Sequence, residues 1–178
     1  MSPILLVPIP PVDRELIKTL ISPLQKIFGV PVTAQTHNSV DPTPARDTVR
    51  NQYNSSILLA CILADRGGES GKVLGVTGLD LFVPVLTFVF GEAQLDGPAA
   101  LVSTCRLDET FYGLPSNPTL LRQRLIKEAV HELGHTFGLI HCRNFECVMY
   151  SSTSVEEIDL KGMELCLECR RLVQTTTR

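Results

Sequence analysis

The segment 128–149, which reads EAVHELGHTFGLIHCRNFECVM, constrains the fold of this chain more than any other stretch. It holds three of the four histidines, and His131 and His135 are four residues apart, so that on a helix they share one face. His141 cannot join them on an unbroken helix, because the intervening rise would place it ~15 Å from His131. The helix must therefore end near Gly138, which lacks a Cβ and can adopt the left-handed conformation that lets the chain turn back.

Three imidazoles around one ion are typical of a catalytic zinc site, which keeps a fourth position open for water. Glu132, next to His131 in sequence, can then act as general base on the zinc-bound water, whose pKa falls to about 7. The short pattern H-E-x-x-H occurs by chance in many helices, but the added Gly138 and His141 make it specific. We therefore predict that His131, His135 and His141 bind a catalytic zinc ion.

Four of the six cysteines cluster toward the C-terminal end of the chain. They are Cys142, Cys147, Cys166 and Cys169. With no sign of secretion, clustered cysteines are more typical of metal ligands than of disulfides. Their C-x4-C and C-x2-C spacings suit a closed four-thiolate zinc site, which would tie the C-terminal segment to the histidine-bearing helix. Four unligated thiols at chance spacings are the alternative.

Cys142 directly follows His141, so the two side chains tend to point in different directions. If Cys142 also bound the first ion, no open position would remain for water, and two separate zinc ions per chain are the simpler arrangement. Cys61 and Cys105 stand alone in apolar stretches, and we expect both to be buried free thiols.

Length and composition indicate an ordinary globular chain. Its 178 residues are most simply one domain spanning 1–178, with 44% apolar and 20% charged residues. A net charge of −3 gives no electrostatic reason to expect nucleic acid. The N-terminal apolar run is too short and proline-broken for a signal peptide, and no stretch approaches the ~18 apolar residues of a membrane span. We expect a cytoplasmic monomer that binds neither nucleic acid nor membranes.

Apolar periodicity in the first half of the chain predicts alternating strands and helices. Strands are expected at residues 4–9, 30–36 and 72–77, with helices at 12–28 and 52–65 between them. This alternation predicts βαβ units with a parallel sheet and right-handed crossovers.

Local signals refine this pattern. Pro23 should kink or split the first helix, and Gly67 with Gly68 should close the second. Residues 86–93 and 99–107 resemble a hairpin, so one strand of the pair should run antiparallel at the sheet edge. An exposed edge strand can bind an extended peptide through main-chain hydrogen bonds, although an ordinary edge strand would give the same pattern.

The long helix should begin near Asn117 and Pro118, a capping residue followed by a proline in the first turn. Its buried side should comprise Leu121, Leu125, Ala129, Val130, Leu133 and Phe137. A second side carries Glu128, His131, Glu132 and His135. Beyond Met149, a helix stop is expected at Gly162, and a short last helix should hold Cys166, Cys169 and Leu172.

These residues resemble a known family of zinc peptidases. The pattern His131-Glu132-x-x-His135-x-x-Gly138-x-x-His141 resembles the metzincin zinc-binding consensus. The cysteines that follow it, with Met149 two residues after Cys147, resemble the archaemetzincins in particular. The segments LGVTGLDLF and FVFGEAQ are also similar to that family, so the likeness spans most of the chain.

The resemblance implies a compact α/β metzincin-like domain with a twisted mixed β-sheet, an antiparallel edge strand and a long zinc-binding helix. It implies a zinc-dependent peptidase with Glu132 as base, with Met149 in a turn beneath the metal, and with a second zinc on the four cysteines. Any buried methionine could pack as Met149 does, so its role depends on the resemblance.

A different class of function remains open from the sequence. A catalytically silent or latent module could keep both zinc sites for stability and bind peptides without cleaving them. The sequence does not separate endopeptidase from aminopeptidase action, although scattered acids such as Asp80 or Glu92 could converge on a substrate amine.

Overall fold

The computed structural model describes residues 3–37, 40–66 and 70–176. In chain order the strands are β1 (Ile4–Ile9), β2 (Val32–Ala34), β3 (Arg46–Asp47), β4 (Gln52–Asn54), β5 (Lys72–Thr77), β6 (Leu81–Phe82), β7 (Gly91–Ala93) and β8 (Ala99–Ser103). The helices are α1 (Arg14–Phe28), α2 (Ser55–Arg66), α3 (Pro118–Thr136), α4 (Val155–Leu160) and α5 (Leu167–Thr176).

The main sheet has five strands in the order β2-β1-β5-β8-β7. The first four are parallel, and β7 pairs antiparallel with β8 at the edge, with Gly91 opposite Val102. The α/β class, the mixed sheet and the antiparallel edge strand predicted from the sequence are therefore confirmed. Parallel strands buried on both faces explain the continuous apolar runs of β1 and β8.

Pro23 was expected to kink or split the first helix, and it does not split it, because α1 runs unbroken from Arg14 to Phe28. The Asp13 side chain accepts a hydrogen bond from the Glu15 backbone N–H at 2.9 Å, and Gly29 ends the helix with φ of 67°. Four side chains on one stripe, Ile17, Leu20, Leu24 and Phe28, are buried. Their burial, at about 1.5–3 kcal/mol each, outweighs the ~3 kcal/mol that an interior proline costs.

A second sheet of three short strands, in the order β3-β4-β6, was not predicted. Residues 52–54, expected to begin a helix, form β4 instead, and Tyr53 pairs with Leu81 in β6. Gln52 donates to the Asp80 carboxylate and to the Thr87 carbonyl, both at 3.0 Å, which fixes this strand through partners distant in sequence.

The remaining differences are in element lengths and burial. Strand β2 is shorter than the predicted 30–36, and β7 and β8 occupy only the inner parts of the predicted hairpin. Cys61 and Cys105, expected to be buried, are only partly buried. Gly67 and Gly68, predicted to close α2, lie outside the described residues.

Two apolar clusters line the two faces of the main sheet. Helices α1 and α3 contribute to one, which is larger, and α2 contributes to the other. Helix α3 packs against β5, β7 and β8, so its buried side lies beside the edge strand. Across residues 3–37, 40–66 and 70–176, no helix combines the length and apolar character needed to cross a membrane.

Candidate metal centre and active site

Helix α3 carries the first two histidines and begins where the sequence predicts. The Asn117 side chain accepts a hydrogen bond from the Leu120 backbone N–H at 3.1 Å, and Pro118 occupies the first turn. From Arg124 onward most of the helix is buried, including His131 and Glu132. This rigid, buried element fixes both residues relative to the sheet edge.

The helix ends as its glycine predicts. Gly138 has φ of 84°, in the left-handed region. The Gly138 N–H donates to the His135 carbonyl at 2.9 Å and the Leu139 N–H donates to the Gly134 carbonyl at 3.0 Å, which close the last turn. The chain then reverses and brings His141 back to the helix.

The three imidazoles converge on one point. The ring centroid of His141 lies 5.2 Å from that of His131 and 5.0 Å from that of His135. One nitrogen from each ring can be chosen so that all three lie within 4.8 Å of one another. In the part of the chain that the structure describes, no cysteine or carboxylate belongs to this group, so an ion held by the three imidazoles would keep a coordination position for water.

The ring orientations fit a tetrahedral zinc ion. His131 Nδ1 donates to the Val148 carbonyl at 2.9 Å, and His135 Nδ1 donates to the Leu139 carbonyl at 2.7 Å, which leaves both Nε2 atoms as lone-pair donors. These Nε2 atoms are 3.2 Å apart, close to the ~3.3 Å expected for two ligands at Zn–N distances of about 2.0–2.1 Å. Burial lowers the pKa of both rings, so they are neutral, as metal ligands must be.

Glu132 is buried beside this group, with 7% of its surface exposed. It packs against the edge strand, where a Cβ placed on Gly91 would lie 2.6 Å from Glu132 Cγ. Burial raises the pKa of the Glu132 carboxyl well above its ordinary value, the nearby Glu128 adds to the effect, and Lys161 opposes it.

Met149 is fully buried beneath α3. Its sulfur lies directly against Gly134, and a Cβ placed on that glycine would be 3.0 Å from Met149 Cε. The Met149 carbonyl accepts a hydrogen bond from the Cys142 N–H at 2.9 Å. Met149 therefore connects the helix to the loop between the two candidate metal sites.

The four cysteines form a second, separate group. One Sγ from each of Cys142, Cys147, Cys166 and Cys169 lies within 4.8 Å of the other three. The Cys142 and Cys166 sulfurs are 3.9 Å apart, close to the ~3.8 Å expected for tetrahedral ligands at a Zn–S distance of about 2.3 Å. The Cys166 N–H donates to Cys147 Sγ at 3.3 Å, which stabilises a thiolate there. These donors fit a structural zinc ion.

A cleft of about 350 Å³ opens beside the three imidazoles. One wall is formed by residues 86–91, which lead into β7, and the opposite wall by Ser151, Ser152 and Thr153. His131, Glu132 and His141 line it where the two walls meet the metal group. A substrate bound in this cleft would contact both the metal and the Glu132 carboxylate.

Comparison with known proteins gives the family. The profile of peptidase family M54 matches residues 64–175, which include both ligand groups. The chain belongs to peptidase family M54. The archaemetzincin of Methanocaldococcus jannaschii is 40% identical over 168 residues, which cover 94% of this chain and 90% of the relative. By family this M54 chain is a zinc metallopeptidase, a hydrolase of peptide bonds.

Solved structures of M54 relatives have the same fold. The Methanopyrus kandleri archaemetzincin crystal structure matches with a TM-score of 0.85 at 35% identity, covering 99% of this chain and 95% of that one. A zinc-dependent peptidase from Methanocorpusculum labreanum matches with a TM-score of 0.86 at 30% identity, covering 96% of this chain and 99% of the other.

Sequence reasoning missed several residues of this M54 site. Gly91 lies against Glu132, and Gly134 lies against Met149. The sequence contained a signal for both contacts, because a glycine inside a strand or helix often marks a close approach of another group. The pair of Glu128 and Lys161 and the wall around Ser152 left no such local signal. They meet only in the tertiary structure.

The acids considered for an amine subsite do not supply one. Asp80 binds Arg106 through two hydrogen bonds of 2.6 and 2.8 Å. Glu92 accepts hydrogen bonds from the Ser55 and Ser56 hydroxyls near the start of α2. Both carboxylates are engaged, and neither lines the cleft.

Proposed function

We propose that this chain hydrolyses peptide bonds, with a zinc ion held by His131, His135 and His141 and with Glu132 as general base. The observation that carries the proposal is the convergence of three oriented imidazoles beside a buried carboxylate at the wall of an open cleft. M54 membership and the zinc-dependent peptidase of M. labreanum support the same reaction class.

A zinc ion held by these three imidazoles would lower the pKa of a bound water to about 7 and would polarise the substrate carbonyl. Glu132 takes the proton from the attacking water and passes it to the departing amine. Burial raises the pKa of this carboxyl above its ordinary value, which favours its taking up the proton of the water. The backbone carbonyls of Val148 and Leu139 hold the two helical imidazoles in their ligating orientation throughout.

Strand β7 provides the main-chain contacts for the substrate. It is the last strand of the main sheet, so its outer edge carries backbone groups that an extended peptide can pair with. Val89, just before β7, already donates its N–H to the Leu81 carbonyl, so a peptide would pair with β7 itself. Gly91, the first residue of β7, lines the cleft beside the metal group, so a peptide paired with β7 would run past that group.

The proposal includes two zinc ions per chain, which the two separate ligand groups support. The four-thiolate ion would fix the loop that carries His141 to the C-terminal segment, which contributes folding energy where disulfides are absent. We also propose that the protein is a single-domain cytoplasmic monomer and that its substrates are peptides.

The test compares the zinc-loaded protein with Glu132→Gln on a diverse peptide library. We expect cleavage by the wild type and a loss of at least ~10³-fold in the variant, with zinc content unchanged. Undiminished cleavage by the variant would remove Glu132 from the mechanism. If a hydroxamate zinc ligand binds but no peptide is cleaved, the chain is the silent peptide-binding module instead.

A further inference from the structure

Part of the cleft wall that leads into β7 has no secondary structure of its own. Leu86, Thr87 and Phe88 line the cleft, but in the described part of the chain they lie outside every helix and strand. Leu86 is 53% exposed, so its side chain adds little apolar burial. The position of this stretch therefore depends on groups that reach it from other parts of the chain.

Two side chains that are distant in sequence contact this stretch. Gln52 Nε2 donates a hydrogen bond to the Thr87 carbonyl oxygen at 3.0 Å. The Arg106 guanidinium lies over the ring of Phe88, with its Cζ 4.2 Å from the ring centroid, which is within the range of a cation–π contact. The first contact holds the main chain of the wall, and the second holds a side chain that lines the cleft.

Both of these side chains are bound to the same carboxylate, that of Asp80. Arg106 Nε and Nη2 donate to Asp80 Oδ1 and Oδ2 at 2.6 and 2.8 Å, and Gln52 Nε2 donates to Asp80 Oδ2 at 3.0 Å. Asp80 does not itself line the cleft. It lies behind the wall, where the contacts to Thr87 and Phe88 have a common origin.

The Asp80 carboxylate determines how both groups are oriented. An ionised carboxylate only accepts hydrogen bonds, so the Gln52 side chain must turn its NH₂ group, and not its oxygen, toward Asp80. The same NH₂ group then has a second N–H to donate to Thr87. The bidentate bond to Asp80 fixes the plane of the Arg106 guanidinium, and that plane decides how the cation meets the Phe88 ring.

We propose that Asp80 is a positioning residue for peptide binding. Through Gln52 and Arg106 it holds the cleft wall in the conformation that receives the substrate. A wall that is ordered before binding avoids the entropy cost of ordering it in the complex, so the peptide binds more tightly. Asp80 acts on the affinity for peptides and not on bond breaking. This inference rests on the proposed peptidase function, because it concerns how that site holds its peptide.

The test measures ligand binding to the zinc-loaded protein, so it does not depend on turnover. Acetohydroxamate, which is too small to extend along the wall, is compared with two peptide hydroxamates that extend to either side of the chelating group. Asp80→Asn keeps the shape of the side chain but places an N–H donor where an acceptor is needed. We expect it to weaken one of the peptide hydroxamates about tenfold and to leave acetohydroxamate unchanged. The loss should be partial, because Arg50 also donates to the Leu86 carbonyl, at 3.2 Å, without involving Asp80.

Asp159→Asn is the matched control. Asp159 binds Arg124 through two hydrogen bonds of 2.8 and 2.7 Å, as Asp80 binds Arg106, and neither Asp159 nor Arg124 lines the cleft. The control should lower stability without changing the affinity for any of the three ligands. In peptide cleavage, Asp80→Asn should raise KM about tenfold and change kcat by less than about twofold, whereas partial unfolding would lower the apparent kcat and leave KM unchanged.

Variants of the two intermediate side chains assign the effect. Gln52→Met removes the hydrogen bond to Thr87, and Arg106→Lys removes the bidentate bond to Asp80 while keeping the positive charge. Each should weaken the same peptide hydroxamate several-fold. Combined with Asp80→Asn, each should add less than its own effect, because the three side chains act together. If Asp80→Asn does not fold, these two single variants decide the question in the same assay.

The outcomes separate this inference from the proposed function. If Asp80→Asn binds both peptide hydroxamates as the wild type does, or weakens acetohydroxamate as much as the peptide ligands, the positioning role is refuted while peptide hydrolysis stands. An equal loss of affinity in Asp159→Asn would show a general effect of stability and would refute the role as well. A loss confined to a peptide hydroxamate, in a protein that cleaves no peptide, would support the positioning role and count against hydrolysis.

Discussion

The Met149 side chain fills the space where a Cβ on Gly134 would stand. A methyl group at residue 134 would meet the Met149 sulfur and lie 3.0 Å from Met149 Cε. Gly134 lies between His131 and His135 on α3, so Met149 packs against the helix at the turn that carries both histidines.

Gly134→Ala should therefore destabilise the protein by about 1–3 kcal/mol, because an added methyl group overpacks a filled site. Helix propensity alone predicts that Gly134→Ala would stabilise the protein, since alanine is favoured over glycine in a helix interior by up to about 1 kcal/mol. Denaturant unfolding decides between these effects. In a Met149→Ala background the cost should shrink, and a stabilised Gly134→Ala would refute the contact.

Gly91→Ala should reduce peptide cleavage by ~10²-fold, because the new Cβ would lie 2.5 Å from the Leu101 carbonyl oxygen of β8 and 2.6 Å from Glu132 Cγ. The edge strand must shift and the Glu132 carboxylate is displaced. The bound zinc should be unchanged, since Gly91 touches none of the ligands' coordinating atoms directly. Activity and zinc content are measured on the same preparation. In a Glu132→Asp background, whose side chain is shorter, Gly91→Ala should reduce cleavage less than it does in the wild type. If the effects of the two substitutions on cleavage are fully additive, residues 91 and 132 are not in direct contact.

Cys169→Ala should lower the zinc content from two ions per chain to one. A site saturated about 1,000-fold above its dissociation constant contributes about 4 kcal/mol, so unfolding should shift strongly as well. Elemental analysis and thermal unfolding measure both effects. Cys61→Ala, which removes a cysteine outside the cluster, is the matched control, and a single ion in unchelated wild type would refute the two-site arrangement.

Zinc uptake by the cysteine cluster should release more than one proton at pH 7 and tighten as pH rises. Burial raises the pKa of the Cys147 and Cys169 thiols, so both carry protons that zinc must displace. His131 and His135 have a lowered pKa and are already neutral, so the histidine site should release only the fraction of a proton that its zinc-bound water loses at pH 7.

Calorimetry of the zinc-free protein in buffers of different ionisation enthalpy counts these protons. A Glu132→Gln background removes the proton that Glu132 could add, because the pKa of that carboxyl is raised. Adding Cys169→Ala isolates the histidine site. Equal proton release with and without the cysteine cluster would show that the thiols are already ionised.

Lys161→Ala should destabilise the protein by about 3–5 kcal/mol, because it leaves the Glu128 carboxylate buried without a counter-ion. The double variant Glu128→Gln with Lys161→Met should recover much of that loss, since no charge remains. Denaturant unfolding provides the comparison. Lys18→Ala breaks an exposed pair with Glu15 and should change stability by less than about 1 kcal/mol.

The parts of the fold that local sequence predicted are those governed by local physics. Strands Ile4–Ile9 and Lys72–Thr77 were predicted to the residue, because continuous apolar runs bounded by turn residues identify buried strands. The start of α3 followed from Asn117 and Pro118, and its end from Gly138. Each of these signals acts within a few residues of its effect.

Elements that depend on distant partners were not predictable in this way. Strand β4 forms because Tyr53 pairs with Leu81 and Gln52 binds Asp80. These long-range contacts produce no pattern of apolar residues in the sequence around residues 52–54. Helix α1 persists through Pro23 because its apolar stripe is packed, and packing free energy cannot be read from propensity.

The sequence by itself determined both ligand groups, because metal coordination needs particular side chains at spacings that one helix turn and one glycine can set. Only the tertiary structure decided how the Glu132 carboxylate is held and what lines the cleft. Gly91 packs against Glu132, and Lys161 forms an ion pair with Glu128, although the residues of each pair are far apart in the chain. Such contacts follow from packing the whole fold, and no local pattern encodes them.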